Sequence, residues 1–364
     1  MRRIQLHTCL LLVAMAAWVP RPAAASLATA VNQQIPPGAR AAAMGNAYTA
    51  IAEGGHASWW NPGAFALLDG VFVDGTRSQL VPDLADDIWF RVGGLAAGYR
   101  GLGLGFQYTH LSYGEASHAS GQPDWRRESY EHTLAVGGGI DLLRWSEGHG
   151  LRLGLGGNMK AYTIYLPPYW HASPETHPEE VADIDLGALG SWRSLLADAA
   201  TPTGGLGYLE LRVGVALKNL FNARISYEDA EQSDPLGRWL RSGFAVELGL
   251  VPPPDLFLIA SDHLVRLILA AEREQMLEPD ADYVVGGYGA ELSLLNVIAL
   301  RGGWIEDPDG DITEKTWGFG LGVELDLDSS AMQSIGGSFD YASVPQATGL
   351  DRVERWSLCL KARL

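Results

Sequence analysis

The chain has 364 residues, is 47% hydrophobic, and carries 44 glycines, 12 tryptophans and a formal charge of −17. The acidic balance argues against nucleic acid as a partner. With only Cys9 and Cys359, neither a disulfide framework nor a thiolate metal cluster is expected. No stretch after residue 25 reaches 18 apolar residues without a charge, so a bundle of membrane-spanning helices is excluded.

Residues 1–25 read as a signal peptide. Arg2 and Arg3 precede the apolar run Cys9 to Val19, and Ala23-Ala24-Ala25 offers a small-residue cleavage site before Ser26. Cleavage there removes Arg2, Arg3 and Arg21 and no acid, which makes the remainder three charges more negative.

Residues 26–68 form a second unit, crowded with Ala and Gly and carrying Trp59-Trp60-Asn61-Pro62-Gly63 near its end. The segment is too polar and too broken by glycine to span a membrane as a helix. Small residues ahead of many strands suit a plug that fills the interior of a barrel.

Residues 69–364 read as a run of alternating strands. In Leu209 to Lys218, Leu209, Leu211, Val213, Val215 and Leu217 oppose Glu210, Arg212, Gly214, Ala216 and Lys218. In Lys315 to Asp326, Trp317, Phe319, Leu321, Val323 and Leu325 oppose three glycines, Glu324 and Asp326. The strands are expected at 69–80, 88–99, 102–113, 128–142, 149–166, 181–191, 207–219, 238–250, 255–270, 281–294, 296–305, 315–326, 334–343 and 352–364. Leu264 to Met276 also reads as a helix. Many of these segments have the length of about ten residues that a tilted strand needs to cross a bilayer. The expected fold is all-β: a transmembrane antiparallel barrel of about 14 strands with an N-terminal plug.

The connections alternate in length. Arg100-Gly101 and Leu295-Asn296 are tight; 114–127, 167–180, 222–237 and 306–314 are longer and polar, while 192–205 and 276–280 break the rhythm. Trp89, Trp145, Trp239, Trp304, Trp317 and Trp356 fall near strand ends, where interfacial girdles form.

Ala39-Arg40-Ala41-Ala42-Ala43-Met44-Gly45-Asn46-Ala47 followed by Asn61-Pro62-Gly63 resembles the opening of the FadL-like outer-membrane barrels, and more closely their PorV/PorQ branch. Gly63 stands where those sequences usually have alanine. Val213 to Leu220 and Ala299 to Trp304 resemble later strands of the same family. The resemblance implies that Arg40, Met44, Gly45, Ala47, Asn61 and Pro62 are hatch residues. It also implies a bacterial outer-membrane protein that takes up hydrophobic small molecules passively, or a PorV-like scaffold for secreted or periplasmic proteins. Outer-membrane lipid would be its other partner.

By alternation, Glu210, Arg212, Glu247, Glu291, Arg301, Glu324, Lys361 and Arg363 face the lumen, with Glu291 and Arg301 able to pair across one tight hairpin. Such charges would brace the wall as ion pairs or contact a substrate. Asp307-Pro308-Asp309-Gly310-Asp311 has the acid spacing of a calcium loop but lacks its distal glutamate, so a solvated turn is expected. His110, His118, His132, His171 and His177 carry no metal-binding spacing, and no nucleophile motif occurs. No cofactor, metal or enzymatic activity is expected.

Overall fold

The computed structural model describes residues 30–117, 126–144, 150–165, 179–196, 206–226, 233–251, 263–278, 283–327 and 332–363. The signal peptide expected at 1–25 lies outside them, as do Trp145, His118, His171, His177 and parts of the longer connections.

The described residues form sixteen strands: β1 (Gly70–Gln79), β2 (Ile88–Tyr99), β3 (Leu102–Ser117), β4 (Arg126–Asp141), β5 (Leu151–Tyr165), β6 (Glu179–Leu196), β7 (Leu206–Lys218), β8 (Arg224–Ser226), β9 (Ser233–Pro235), β10 (Trp239–Val251), β11 (Val265–Met276), β12 (Val284–Leu294), β13 (Ile298–Asp307), β14 (Ile312–Asp326), β15 (Ser334–Val344) and β16 (Val353–Arg363). Fourteen of them close into one antiparallel barrel in which β1 pairs with both β2 and β16; β8 and β9 form a separate two-stranded ribbon between β7 and β10. Closure leaves the barrel no free sheet edge.

Two expected strand boundaries need correction. The strand expected at 255–270 is β11 at Val265–Met276, so the helical reading of 264–276 fails. Its residues Leu269-Ala270-Ala271-Glu272 have good helix propensity, but full ladders to β10 and β12 override it. Trp192 to Leu196, expected in a connection, belongs to β6 and pairs with β7.

Strand parity assigns each connection to an end. The tight turns after Tyr99 and Leu294 share one end, here the turn end, with the start of β1 and the end of β16. Arg100, Leu295 and Asn296 take positive φ there. The connections holding 118–125, 166–178, 219–238 and 308–311 all lie at the opposite, loop end.

The outward face is apolar. Leu104, Met159, Leu300, Leu321, Val323, Leu358 and Leu360 are all exposed. Near the loop end, Tyr288, Trp304 and Trp317 project outward from the adjoining strands β12, β13 and β14, and Trp356 from β16, beyond β15. Trp239 is the exception to the girdle expectation: it is buried, edge-on against Tyr283.

The inward faces of the strands meet residues 30–68. This segment contains short helices α1 (Val31–Gln34), α2 (Ala39–Ala43) and α3 (Ala57–Trp60), with 3₁₀ turns at Gly54–His56 and Pro62–Leu67. Its start lies near Leu111, Glu131 and Thr133 at the loop end. Its last turn lies against Gly98, Gly103 and Gly139 at the turn end. Met44, Ile51, Trp60 and Phe65 pack with Ala96, Leu189, Ala245 and Ile268 of the wall in the main hydrophobic cluster. Burying side chains as large as Trp60 and Phe65 is worth about 1.5–3 kcal/mol each.

The wall's inner glycines make that approach possible. A Cβ on Gly103 would lie 1.9 Å from the Phe65 carbonyl oxygen, and one on Gly303 would lie 2.2 Å from the Gly45 nitrogen. The glycine-rich face seen in the sequence is therefore the imprint of another stretch of the same chain.

Candidate functional site: the filled lumen

The central cluster is built around Glu291 on β12. Alternation turns its side chain inward, and the tight β12–β13 turn sets Glu291 opposite Arg301. Its Oε2 accepts from Arg301 Nε at 2.6 Å and from Arg40 Nε at 2.7 Å; its Oε1 accepts from Arg40 Nη2 and Arg266 Nη2, both at 2.9 Å. The Glu291 side chain has no exposed surface. Arg301 also pairs with Asp340 at 2.6 Å, and Arg40 with Glu53. Three guanidiniums thus meet three carboxylates, of which Glu291 and Asp340 are buried and Glu53 is half-exposed. Burial works against the Arg40 charge, but Glu291 and then Glu53 outweigh it and raise its pKa above the ordinary arginine value.

A second group lies on β7 and β10. Glu210 and Glu247 are register partners, two carboxylates directly opposite each other. Arg212 reconciles them, at 2.9 Å from Glu210 and 3.4 Å from Glu247, while the Tyr208 hydroxyl donates to Glu247 at 2.7 Å. A third group sits apart at the turn end. There Glu324 forms ion pairs with Lys361 at 2.5 Å and Arg363 at 3.5 Å and accepts a hydrogen bond from the Ser334 hydroxyl at 2.7 Å. The eight lumen charges therefore form three clusters, and of the three only the central one includes a residue of the N-terminal segment.

The residues of that segment make specific contacts. Met44 and Ala47 are fully buried. Gly45 has φ +64° and donates to Thr316 Oγ1 at 3.0 Å, and Thr316 in turn donates to the Ala43 carbonyl at 2.8 Å. Asn61 Oδ1 accepts from the Gly63 N–H at 3.0 Å, closing a turn whose φ Pro62 fixes. Asn61 Nδ2 donates to the carbonyls of Thr49 at 3.1 Å and Ala188 at 3.0 Å, which joins two parts of the segment to the wall.

The most concentrated anchor was not singled out in the sequence. Glu272 on β11 accepts from the N–H groups of Tyr48 and Thr49 and from the Thr49 hydroxyl, each at 2.7 Å. Period-two alternation through Ile268, Ala270 and Glu272 would have turned it inward, but the competing helical pattern at 264–276 hid that signal.

One part of the lumen is apolar. Phe90, Val92 and Leu111 are buried together near the loop end, with Val31, Ile35, Leu80 and Tyr113 packed on them. Beside them, β3 carries one extra residue relative to β4 between Ser112 and Glu115. Gly114 forms this bulge with φ +82°, and its N–H donates to Ser112 Oγ at 3.2 Å.

The acidic turn at 307–311 is self-capped: Asp307 accepts from the Gly310 N–H at 2.9 Å and from the Tyr283 hydroxyl at 2.8 Å. His110 and His132 are register partners on β3 and β4, and each stacks on a tyrosine. Among the described residues no cluster of three or more metal-ligating side chains occurs.

No family model matches the chain, and no curated protein does. Among solved structures, it is similar to the Ralstonia pickettii toluene transporter TbuX, with 12% identity, 90% of this chain and 98% of that one covered, and a TM-score of 0.43. It is also similar to the Pseudomonas putida toluene transporter TodX, with 13% identity, 90% and 96% coverage and a TM-score of 0.41. The transport unit of the Escherichia coli autotransporter AIDA-I gives 11% identity, 81% and 90% coverage and a TM-score of 0.39. Similarity of this degree says nothing about which residues act, or on what.

Proposed function

We propose that this chain is a bacterial outer-membrane barrel, exported by its signal peptide, with residues 26–68 as a plug, and that it passes hydrophobic small molecules across the membrane. The observation behind the transport reading is the apolar cluster of Phe90, Val92 and Leu111 at the loop end, beside the bulge in β3. An apolar solute entering from the aqueous loop end would reach this cluster by displacing Val31 and Ile35, and burial there would replace its contact with water. Passage toward the turn end would then require the plug to shift, because its backbone touches the inner glycines of the wall.

The test is uptake of a hydrophobic fluorescent probe by cells carrying Leu111→Asp or the wild-type barrel. The variant should accumulate probe several-fold more slowly while the protein stays in the outer-membrane fraction and still migrates faster unboiled than boiled. Equal uptake by the two would overturn the transport reading. Recovery in the soluble periplasm without heat-dependent migration would overturn the membrane reading as well.

A second reading, a PorV-like scaffold, is favoured by the density of bonds that hold the N-terminal segment at Glu291, Glu272 and Asn61. A barrel that never opens would present its outer surface and loops to partner proteins. Co-purification of a defined partner from native membranes, with probe uptake unchanged on deletion, would favour it.

A further inference from the structure

Between α1, α3 and the wall strands β3 to β7 lies a polar cavity in which about 20 Å³ is open to the centre of a water molecule; Asp185 of β6 is among its lining residues. Lys160 and Lys218 both reach it and both are buried. Their surroundings differ. Lys160 pairs with Asp185 at 2.8 Å, and Asp185 also accepts the Asn219 N–H at 2.9 Å. Lys218 has no carboxylate within 4.0 Å among the described residues; its ammonium donates to the Gln33 carbonyl at 3.3 Å and lies 3.3 Å above the Trp59 ring. The other cation on that ring, Arg241, is already paired with Glu274 at 2.6 Å. Asp185 is the one carboxylate among the residues lining the cavity, so Lys160 and Lys218 share a single counter-charge, held by Lys160, in a water-poor interior.

The same cavity has an excess of donors. The amide and indole donors Gln33 Nε2, Asn32 Nδ2 and Trp59 Nε1 are buried without a hydrogen-bond partner, against one orphaned acceptor, Gln107 Oε1, and the Ser58 hydroxyl, which can act either way. The amide orientation of Gln33 is not arbitrary, because its Oε1 accepts from Lys160 Nζ at 2.9 Å, which leaves the NH₂ group as the unmatched end. Trp59 Nε1 can only donate. Water could accept some of these hydrogen bonds, but it could not offset the ammonium charge.

We propose that this cavity holds one small inorganic anion of about the size of chloride, bound by Lys218 and by the N–H groups of Gln33 and Trp59. The anion would tie the start of the N-terminal segment to β7 at the loop end. The proposal is independent of what the barrel transports.

The test compares thermal unfolding of the purified, lipid- or detergent-held barrel in sodium chloride and in sodium gluconate at equal ionic strength, so that general screening is matched. Gluconate is too large for the cavity. The midpoint should rise with chloride along a saturable curve, as for a ligand that binds the folded state alone. Lys218→Met should fold, because it removes an unpaired buried charge, and should lose the chloride dependence. Gln33→Glu brings a carboxylate into the cavity and should be as stable in gluconate as the wild type is in chloride. In crystals grown with bromide, the anomalous peak should lie beside Lys218 and Gln33. Equal midpoints for the wild type in the two salts, a saturable chloride response retained in Lys218→Met, or no bromide peak in the cavity would each overturn the proposal.

Discussion

The Arg40 guanidinium and the Glu291 carboxylate, 251 residues apart in sequence, meet in a two-point ion pair, Nε to Oε2 at 2.7 Å and Nη2 to Oε1 at 2.9 Å. This pair fastens the N-terminal segment to the wall at the carboxylate that also holds Arg266 and Arg301. Glu291 is the shared partner, so the two ends of the pair should differ in how much they matter. Glu291→Gln leaves three guanidiniums facing each other and should cost about 3–5 kcal/mol. Arg40→Gln leaves Glu291 two of its three cations and should cost clearly less. Urea titrations of the refolded barrel measure both; equal losses would show that the cluster is not centred on Glu291.

The contact between Gly303 and Gly45 separates the wall from what it encloses. Gly303→Val drives a side chain into the backbone of Met44 and Gly45, whereas a Cβ on the neighbouring Gly302 meets nothing within 4 Å. Gly303→Val should therefore leave a heat-modifiable barrel that conducts ions in planar bilayers. Gly302→Val should stay closed. A closed Gly303→Val barrel would mean that residues 30–68 do not seal the bore.

The outer wall supplies a test of the membrane assignment. Val213 and Leu321 lie mid-strand on the outward face, opposite the inward Gly214 and Gly320. Arginine at either site should cost about 2–4 kcal/mol when folding is measured in a bilayer. Neutral substitutions at both would place these residues away from lipid.

The attachment of the segment at His56 should be sensitive to pH. It is buried, with Nε2 2.9 Å from Thr76 Oγ1. Burial pushes its pKa below the ordinary imidazole value; Asp74 opposes the shift and Arg355 adds to it. The unfolded chain therefore binds this proton first as pH falls. The contribution of His56 to stability is fully present above about pH 6.5, the unfolded value, and is lost as pH drops from there toward the lower folded value. His56→Gln, which can keep a hydrogen bond to Thr76, should flatten that part of the curve of urea midpoint against pH. An unchanged slope would show that other groups set it.

Much of the wall was legible in the sequence because a strand's side chains alternate with a period of two. That pattern alone separated Val213 from Gly214 and put Glu291 and Arg301 on one face, and the tight turn at Leu295-Asn296 set them opposite each other. Where a second period competed, as in Leu264 to Met276, local pattern could not choose; the ladders to β10 and β12 chose the strand, and with it the inward place of Glu272. Trp239 near a strand end looked like its counterparts at 304, 317 and 356, yet it packs edge-on against Tyr283 rather than facing outward. What the sequence by itself determined was an alternating, glycine-rich chain able to close on itself, with a small-residue segment in front. Only the tertiary structure decided which wall residues that segment touches. Arg40 and Glu291, or Thr49 and Glu272, share no local period, and they meet only when closure of the barrel brings distant strands around one short stretch of backbone.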